Sequence, residues 1–144
     1  MIGGQILDIE AEQHHDFDLN HLLKIHSLKT GALIRASAKL GCVAAGFSDS
    51  SCEMVAVDQY AQKIGLAFQV IDDLLDVIGD TSALGKKTGA DKEADKLTFM
   101  NFYSVDEAKQ YAQKLTEEAI AAIADYDASG ELRALADYLL KRTY

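Results

Sequence analysis

Three aspartates in one short stretch of the chain have the spacing that could hold a divalent cation. The stretch reads Phe68-Gln69-Val70-Ile71-Asp72-Asp73-Leu74-Leu75-Asp76. At about 100° per residue, Gln69 and the three aspartates share a helical stripe about 100° wide, and apolar residues fill most of the remaining circumference. Like charges one turn apart repel, and a hard cation such as Mg²⁺ that joins carboxylates to substrate phosphates would relieve the repulsion. A solvated acidic face is the alternative that this pattern leaves open.

A lysine lies at the centre of an apolar stripe on an earlier helical stretch. On a helical wheel, Leu22, Leu33 and Leu40 fall within about 40° of Lys29. A lysine that faces the core must extend its amine to solvent, pair with an acid or bind an anion. Thr30 follows it directly. A ligand-binding role for Lys29 is therefore one interpretation, and a lysine that reaches solvent is another.

A second concentration of positive charge follows the acidic stretch. Four of the 14 Lys and Arg residues fall close together, at Lys86, Lys87, Lys92 and Lys96. In a chain of net charge −9, this cluster could close a cationic loop over phosphate held at the aspartates. A solvated loop explains the cluster equally well when it is judged alone.

Helices must position these residues. The chain contains no proline, where an average usage near 5% would give about seven, and its absence suits long uninterrupted helices. Apolar periodicity predicts helices over 2–12, 19–46, 52–78, 105–126 and 131–142, with a long loop over 79–98. We therefore expect an all-α fold in a single domain spanning residues 1–144.

Capping residues mark the predicted helix ends. Asp18 or Asn20 would cap the helix that starts at 19, and Gly46 would end it. Serines within 48–51 would cap the next helix. Ser104 and Glu107 form an S-x-x-E capping box before the helix over 105–126.

Composition narrows the function classes. The excess of 23 Asp and Glu over 14 Lys and Arg argues against a nucleic-acid binder, which normally shows a basic face. No apolar run approaches the roughly 18 residues that cross a bilayer, and no secretory signal is visible. Cys42 and Cys52 form neither a disulfide framework nor a metal pattern. We expect a cytoplasmic protein without a membrane span.

Four motifs, in order and in register, resemble those of the trans-isoprenyl diphosphate synthases, of the bacterial farnesyl (geranyltranstransferase) type. They are Gly4-Gln5-Ile6-Leu7-Asp8, Lys29-Thr30-Gly31, Phe68-Gln69 leading into Asp72-Asp73-Leu74-Leu75-Asp76, and Gly85-Lys86 through Lys96. The resemblance covers nearly the whole chain and corresponds to the C-terminal half of complete family members. It implies an antiparallel helical bundle of the isoprenoid synthase type.

The resemblance also implies an activity, a cofactor and a set of site residues. The reaction would be prenyl transfer from an allylic diphosphate to isopentenyl diphosphate, with Mg²⁺ or Mn²⁺ as cofactor. The implied metal site is Asp72, Asp73 and Asp76, and the implied catalytic residues are Lys29, Thr30 and Gln69. The implied substrate-binding residues are Lys29, Lys86, Gln5, Asp8, Asp91, Lys96 and Arg142.

Complete family members carry another aspartate-rich motif on an earlier helix, which is not found here. We therefore expect a fragment that is inactive alone and that forms a homo-oligomer, a dimer or larger, because unburied apolar helix faces drive association. A non-catalytic helical interaction subunit with the same fold is the alternative, and Mg²⁺-dependent diphosphate binding would separate the two. A terpene cyclase is disfavoured because too few residues follow Asp76 to supply its second metal motif.

Overall fold

Helices account for every regular element in the described parts of the chain. The computed structural model describes residues 1–13, 18–83 and 97–143. The helices are α1 (Ile2–Gln13), α2 (Leu19–His26), α3 (Ala32–Ala44), α4 (Cys52–Ala83), α5 (Val105–Ala122) and α6 (Glu131–Leu140). A π-helical turn, Ser27–Gly31, joins α2 to α3, and short 3₁₀ turns span Phe99–Asn101 and Lys141–Thr143. Within these ranges no strand occurs, which confirms the all-α prediction.

Polar side chains cap the first turns of α2, α4 and α5, as the sequence predicted. Asp18 Oδ1 accepts the backbone N–H three residues on at 2.9 Å, and Ser51 Oγ accepts the corresponding N–H of α4 at 3.1 Å. Ser104 and Glu107 form the predicted reciprocal capping box before α5. Gly46, at φ 88°, follows the last turn of α3, in the left-handed conformation that glycine adopts without steric cost.

Two helix ends differ from the sequence prediction by four residues or more. The fourth helix continues to Ala83 rather than ending near 78, because a single interior glycine weakens a helix by only about 1 kcal/mol. The fifth ends at Ala122 rather than near 126. There Ile123 leaves helical geometry at φ −108° and ψ 8°, and its carbonyl accepts the N–H of Tyr126 and of Asp127, which forms a turn.

The core is organised along α4, which packs most extensively against α5 and also against α3, α6 and the π turn. A larger buried cluster comprises Leu22, Ala67, Val70, Ile71, Leu74, Phe99, Ala108, Ala112 and Leu115. A smaller one comprises Ala56, Tyr60, Ile64, Ala119, Ile123 and Ala136. In the described ranges no helix is long and apolar enough to span a membrane.

The π turn changes which side chains of the α2–α3 run face the core. Leu22 is 1% exposed, whereas Leu33 is 59% and Leu40 is 67% exposed. A π turn adds a residue and rotates every later position by about 100°. The prediction of one core-facing stripe on a regular helix is therefore wrong beyond the turn. The turn also allows close packing, because a Cβ on Gly65 of α4 would lie only 3.2 Å from Gly31 Cα.

Candidate active site

Asp72 and Asp76 lie one turn apart on α4, on its more exposed side. Asp72 Oδ1 is 3.9 Å from Arg142 Nη1, and both side chains are about two-fifths exposed. The Arg142 guanidinium also lies 5.5 Å from the centre of the Phe68 ring, within range of a cation–π contact. Asp76 is exposed. Thus Arg142, a predicted substrate-binding residue, reaches the acidic string from the end of the chain.

Asp73 faces the opposite way, into the protein. Its Oδ2 accepts the backbone N–H of Phe99 at 2.8 Å and lies 4.0 Å from Nε2 of the buried His26. The His26 ring stacks on the Phe99 ring with their centres 5.3 Å apart. Neither the hydrogen bond from Phe99 to Asp73 nor the approach of His26 to Asp73 was predicted from the sequence. Gln69, one turn before these aspartates, is half-buried on the same helix.

Lys29 is part of the π turn and pairs with α1. Its Nζ donates to Oδ2 of the buried Asp8 at 2.5 Å. Gly4 makes this approach possible, because a Cβ there would lie 2.3 Å from the backbone nitrogen of Lys29. Pairing with an acid is one of the three possibilities that the sequence left open for Lys29, and it is the one observed. The Lys29 side chain is 31% exposed.

A cavity of about 520 Å³ opens beside Lys29. Its polar lining is Gln5, Lys29 and Thr30, so the structure brings together three of the predicted site residues. Apolar side chains from α1 and α3 form the rest of its lining: Met1, Ile2, Ile6, Leu33 and Ile34. The arrangement suits a ligand with a hydrocarbon part and a polar, anionic end.

A smaller cavity of about 200 Å³ lies on another side of the π turn. It is lined by Leu23, His26, Ser27, Gly31, Arg35, Gln62 and Leu66. Arg35 donates two hydrogen bonds to Asp58, at 2.9 and 2.6 Å, and this pairing holds the pKa of the Asp58 carboxyl below its usual value. The guanidinium at the rim is thus already engaged.

Part of the predicted site falls outside the described residues. Lys86, Asp91 and Lys96 belong to that part, as do the neighbouring loop lysines, Lys87 and Lys92. Among residues 1–13, 18–83 and 97–143, no three His, Cys, Asp or Glu side chains converge as a metal site. Asp72 and Asp76 nevertheless have the right donor chemistry, because Mg²⁺ is commonly held by one or two carboxylates, with waters and substrate phosphates completing its shell.

Sequence reasoning missed His26 and the π turn. Hydrophobic periodicity carries no signal for either feature, because histidine is only an intermediate residue type for burial and the π turn falls within an otherwise helical pattern. The hydrogen bond from Phe99 to Asp73 has no signal either, because any residue supplies a backbone N–H.

Comparison with known proteins identifies the family. Residues 1–139 match the polyprenyl synthetase family, and the chain belongs to it. It is 43% identical to farnesyl diphosphate synthase of Escherichia coli over 99% of this chain and 48% of that protein. It is 41% identical to a dimethylallyltranstransferase of Fischerella ambigua over 100% of this chain and 41% of that one. The chain therefore spans about half the length of these curated relatives.

Solved structures agree with this assignment. An FPP/GFPP synthase from Zymomonas mobilis superposes with a TM-score of 0.79 at 31% identity, over 96% of this chain and 45% of that one. A putative farnesyl-diphosphate synthase from Marinomonas gives 0.77 at 33%, over 97% and 46%. The relatives and structures named here are diphosphate synthases and a dimethylallyltranstransferase.

Proposed function

We propose that this chain is the C-terminal half of a farnesyl-type prenyltransferase, which condenses an allylic diphosphate with isopentenyl diphosphate. The observation that carries the proposal is the cavity beside the π turn, whose lining divides between the polar residues Gln5, Lys29 and Thr30 and apolar residues of α1 and α3. A prenyl diphosphate has the same division between a charged head and a hydrocarbon tail. Family membership supports the reaction class.

The resemblance to the family implies a role in this reaction for each of the site residues that the structure describes. Lys29 would bind the diphosphate oxygens, so that its amine exchanges the Asp8 carboxylate for a substrate anion. As the allylic C–O bond breaks and the diphosphate departs, the apolar walls would keep water from the carbocation. The Thr30 hydroxyl and the Gln69 amide oxygen would stabilise its positive charge. A new C–C bond to isopentenyl diphosphate then forms, and the departing diphosphate accepts the proton that the resulting carbocation loses.

Asp72 and Asp76 would hold Mg²⁺, or Mn²⁺, against the diphosphate. When bound, the cation would stabilise the negative charge of the leaving group. Arg142, which now lies beside Asp72, would bind the same diphosphate. Gln5 and Asp8 would line the site, and Lys86, Asp91 and Lys96, outside the described residues, are proposed to join it.

Activity of the chain alone is a separate proposal. We infer that it turns over no substrate by itself, because a second aspartate-rich motif is needed to clamp the diphosphate. Exposed apolar residues on α1 and α3, such as Ile6, Leu33 and Leu40, support association into a homo-oligomer. Steady turnover by the pure 144-residue chain would refute the inactivity proposal. The cytoplasmic location stays a prediction.

Calorimetry tests the binding half of the proposal. Methylenediphosphonate, which keeps the diphosphate oxygens but is not hydrolysed, is titrated into the chain with and without Mg²⁺. We expect Mg²⁺-dependent binding that Asp72→Asn weakens by about tenfold or more and that Asp125→Asn, at an exposed turn, leaves unchanged. Equal affinity with and without Mg²⁺ would refute the metal site. No binding by a helical, folded chain would favour the non-catalytic subunit instead.

A further inference from the structure

The three aspartates of the acidic string occupy different environments. The Asp73 side chain is 9% exposed, whereas that of Asp72, its immediate neighbour, is 41% exposed. Successive helical residues point about 100° apart, so two adjacent side chains cannot both face one bound ion as readily as two that are one turn apart. Asp76 is one turn from Asp72 and shares its exposed side.

The buried oxygen of Asp73 already accepts one hydrogen bond and lies near a histidine ring. Oδ2 accepts the Phe99 N–H at 2.8 Å, and His26 Nε2 lies 4.0 Å from the same atom. Mg²⁺ demands ligand oxygens in near-ideal octahedral geometry at about 2.0–2.1 Å. The hydrogen bond from Phe99 holds the Asp73 carboxylate on the buried side of α4, whereas the Asp72 carboxylate is on the exposed side, and turning Asp73 outward would leave a buried backbone N–H without its acceptor.

The contacts of Asp73 connect three parts of the fold. Phe99 belongs to the 3₁₀ turn that precedes α5, and its ring stacks on His26 and on Tyr103. His26 is the last residue of α2 and directly precedes the π turn that carries Lys29. One carboxylate on α4 therefore sets the position of the 3₁₀ turn and borders the start of the π turn.

We propose that Asp73 is a positioning residue rather than a metal ligand, and that it acts through Phe99 and His26 to fix Lys29 relative to Asp72. This inference rests on the proposed function of the other two aspartates. A metal ligand and a positioning residue differ in whether the Asp73 side chain must carry a negative charge. A metal ligand requires the anionic carboxylate, whereas an acceptor for a backbone N–H requires only an oxygen, which asparagine also supplies.

Isosteric variants separate these roles. Asp73→Asn keeps an acceptor for Phe99 N–H, Asp73→Ala removes it, and Asp72→Asn is the matched control for a lost ligand. Binding of methylenediphosphonate with Mg²⁺ is measured by calorimetry. Hydrogen exchange of the Phe99 amide is measured by NMR in the same proteins, which gives a readout independent of any metal.

We expect Asp73→Asn to bind with unchanged affinity while Asp72→Asn loses about tenfold or more. The Phe99 amide should stay protected in Asp73→Asn, should exchange faster in Asp73→Ala, and should keep its protection when Mg²⁺ and methylenediphosphonate are added. A similar loss of affinity in Asp73→Asn and Asp72→Asn would overturn the inference, as would loss of Phe99 protection when Mg²⁺ and methylenediphosphonate are added.

A failure of the proposed function gives a different result from a failure of the inference about Asp73. If the parent chain shows no Mg²⁺-dependent binding, the assignment of Asp72 falls, and the exchange data still decide the role of Asp73. Faster exchange in Asp73→Ala alone supports positioning, and equal exchange in all variants overturns it. Should Asp73→Ala not fold, slow Phe99 exchange in Asp73→Asn supports the inference and fast exchange contradicts it.

Discussion

Gly4→Ala tests how closely α1 rests on the π turn. A Cβ at Gly4 would lie 2.3 Å from Lys29 N, 2.6 Å from Leu28 C and 2.7 Å from Lys29 Cα. All three are backbone atoms and cannot rotate away, so α1 would have to move outward by about 1 Å to reach van der Waals contact. We expect this movement to lengthen the ion pair between Asp8 and Lys29.

The magnitude follows from two opposing effects. Overpacking costs about 1–3 kcal/mol, and replacing glycine with alanine in a helix gains about 1 kcal/mol. Gly3→Ala on the same helix is the matched control, because a Cβ there meets nothing within 4 Å and only the gain applies. The two variants should therefore differ by about 1–3 kcal/mol in the free energy of unfolding, or about 3–10 °C in Tm.

Thermal and urea unfolding followed by circular dichroism measure this difference. Hydrogen exchange across α1 shows whether the helix detaches locally, in which case Gly4→Ala would lose protection in 2–13 while the midpoint changes little. If Gly4→Ala is as stable and as well protected as Gly3→Ala, then α1 does not pack on the π turn and the reasoning is refuted. The same result would remove the structural basis for one wall of the cavity.

Three further substitutions test individual polar contacts of the fold. Asp58→Asn should lower stability by about 0.5 kcal/mol at pH 7, a value discounted for the partial exposure of Asp58 and Arg35. Because Arg35 lowers the pKa of Asp58, this contribution is present above pH 3.8 and is lost as the pH falls through the folded-state pKa. A difference from the parent that does not shrink as the pH is lowered below 3.8 would contradict it. Tyr60→Phe should cost about 1 kcal/mol at pH 7, because the Tyr60 hydroxyl donates to the Leu132 carbonyl at 2.8 Å. Burial raises the pKa of Tyr60 to about 12, so the parent alone should lose this stability between pH 10 and 12, and parallel urea-midpoint profiles would refute the assignment. Ser104→Ala should cost about 1 kcal/mol through the lost helix cap, and an unchanged Tm would show that α5 does not depend on it.

The helices could be predicted from the sequence because their ends carry local signals. The capping roles of Asp18, Ser51 and Ser104 depend on residues within one turn, and so does the glycine stop at Gly46. The end of α5 at Ala122 had no such signal, since Ile123 leaves the helix without a glycine or proline. Its buried side chain is part of the smaller core cluster, so tertiary packing accompanies the end of this helix.

The candidate site was predictable only where residue type determines chemistry. Asp72, Asp76 and Lys29 stood out because charges are rare on mostly apolar helical stretches. The acidic partner of Lys29 was not predicted, because Asp8 lies on another helix, 21 positions earlier, and their contact depends on the close approach at Gly4. Periodicity placed Asp73 in the same stripe as Asp72, and only the position of Phe99 shows which way it turns.

The π turn takes part in three contacts of the candidate site. Gly4 of α1 packs on its backbone, and its Gly31 packs against Gly65 of α4. His26, the residue before the turn, borders Asp73. Single π turns within helices are rare and occur frequently at functional sites. Here it rotates Leu33 outward to line the cavity while Lys29 stays beside Asp8. A regular helix through the same residues would keep Leu33 in the core-facing stripe with Leu22, and Leu33 would then not line the cavity.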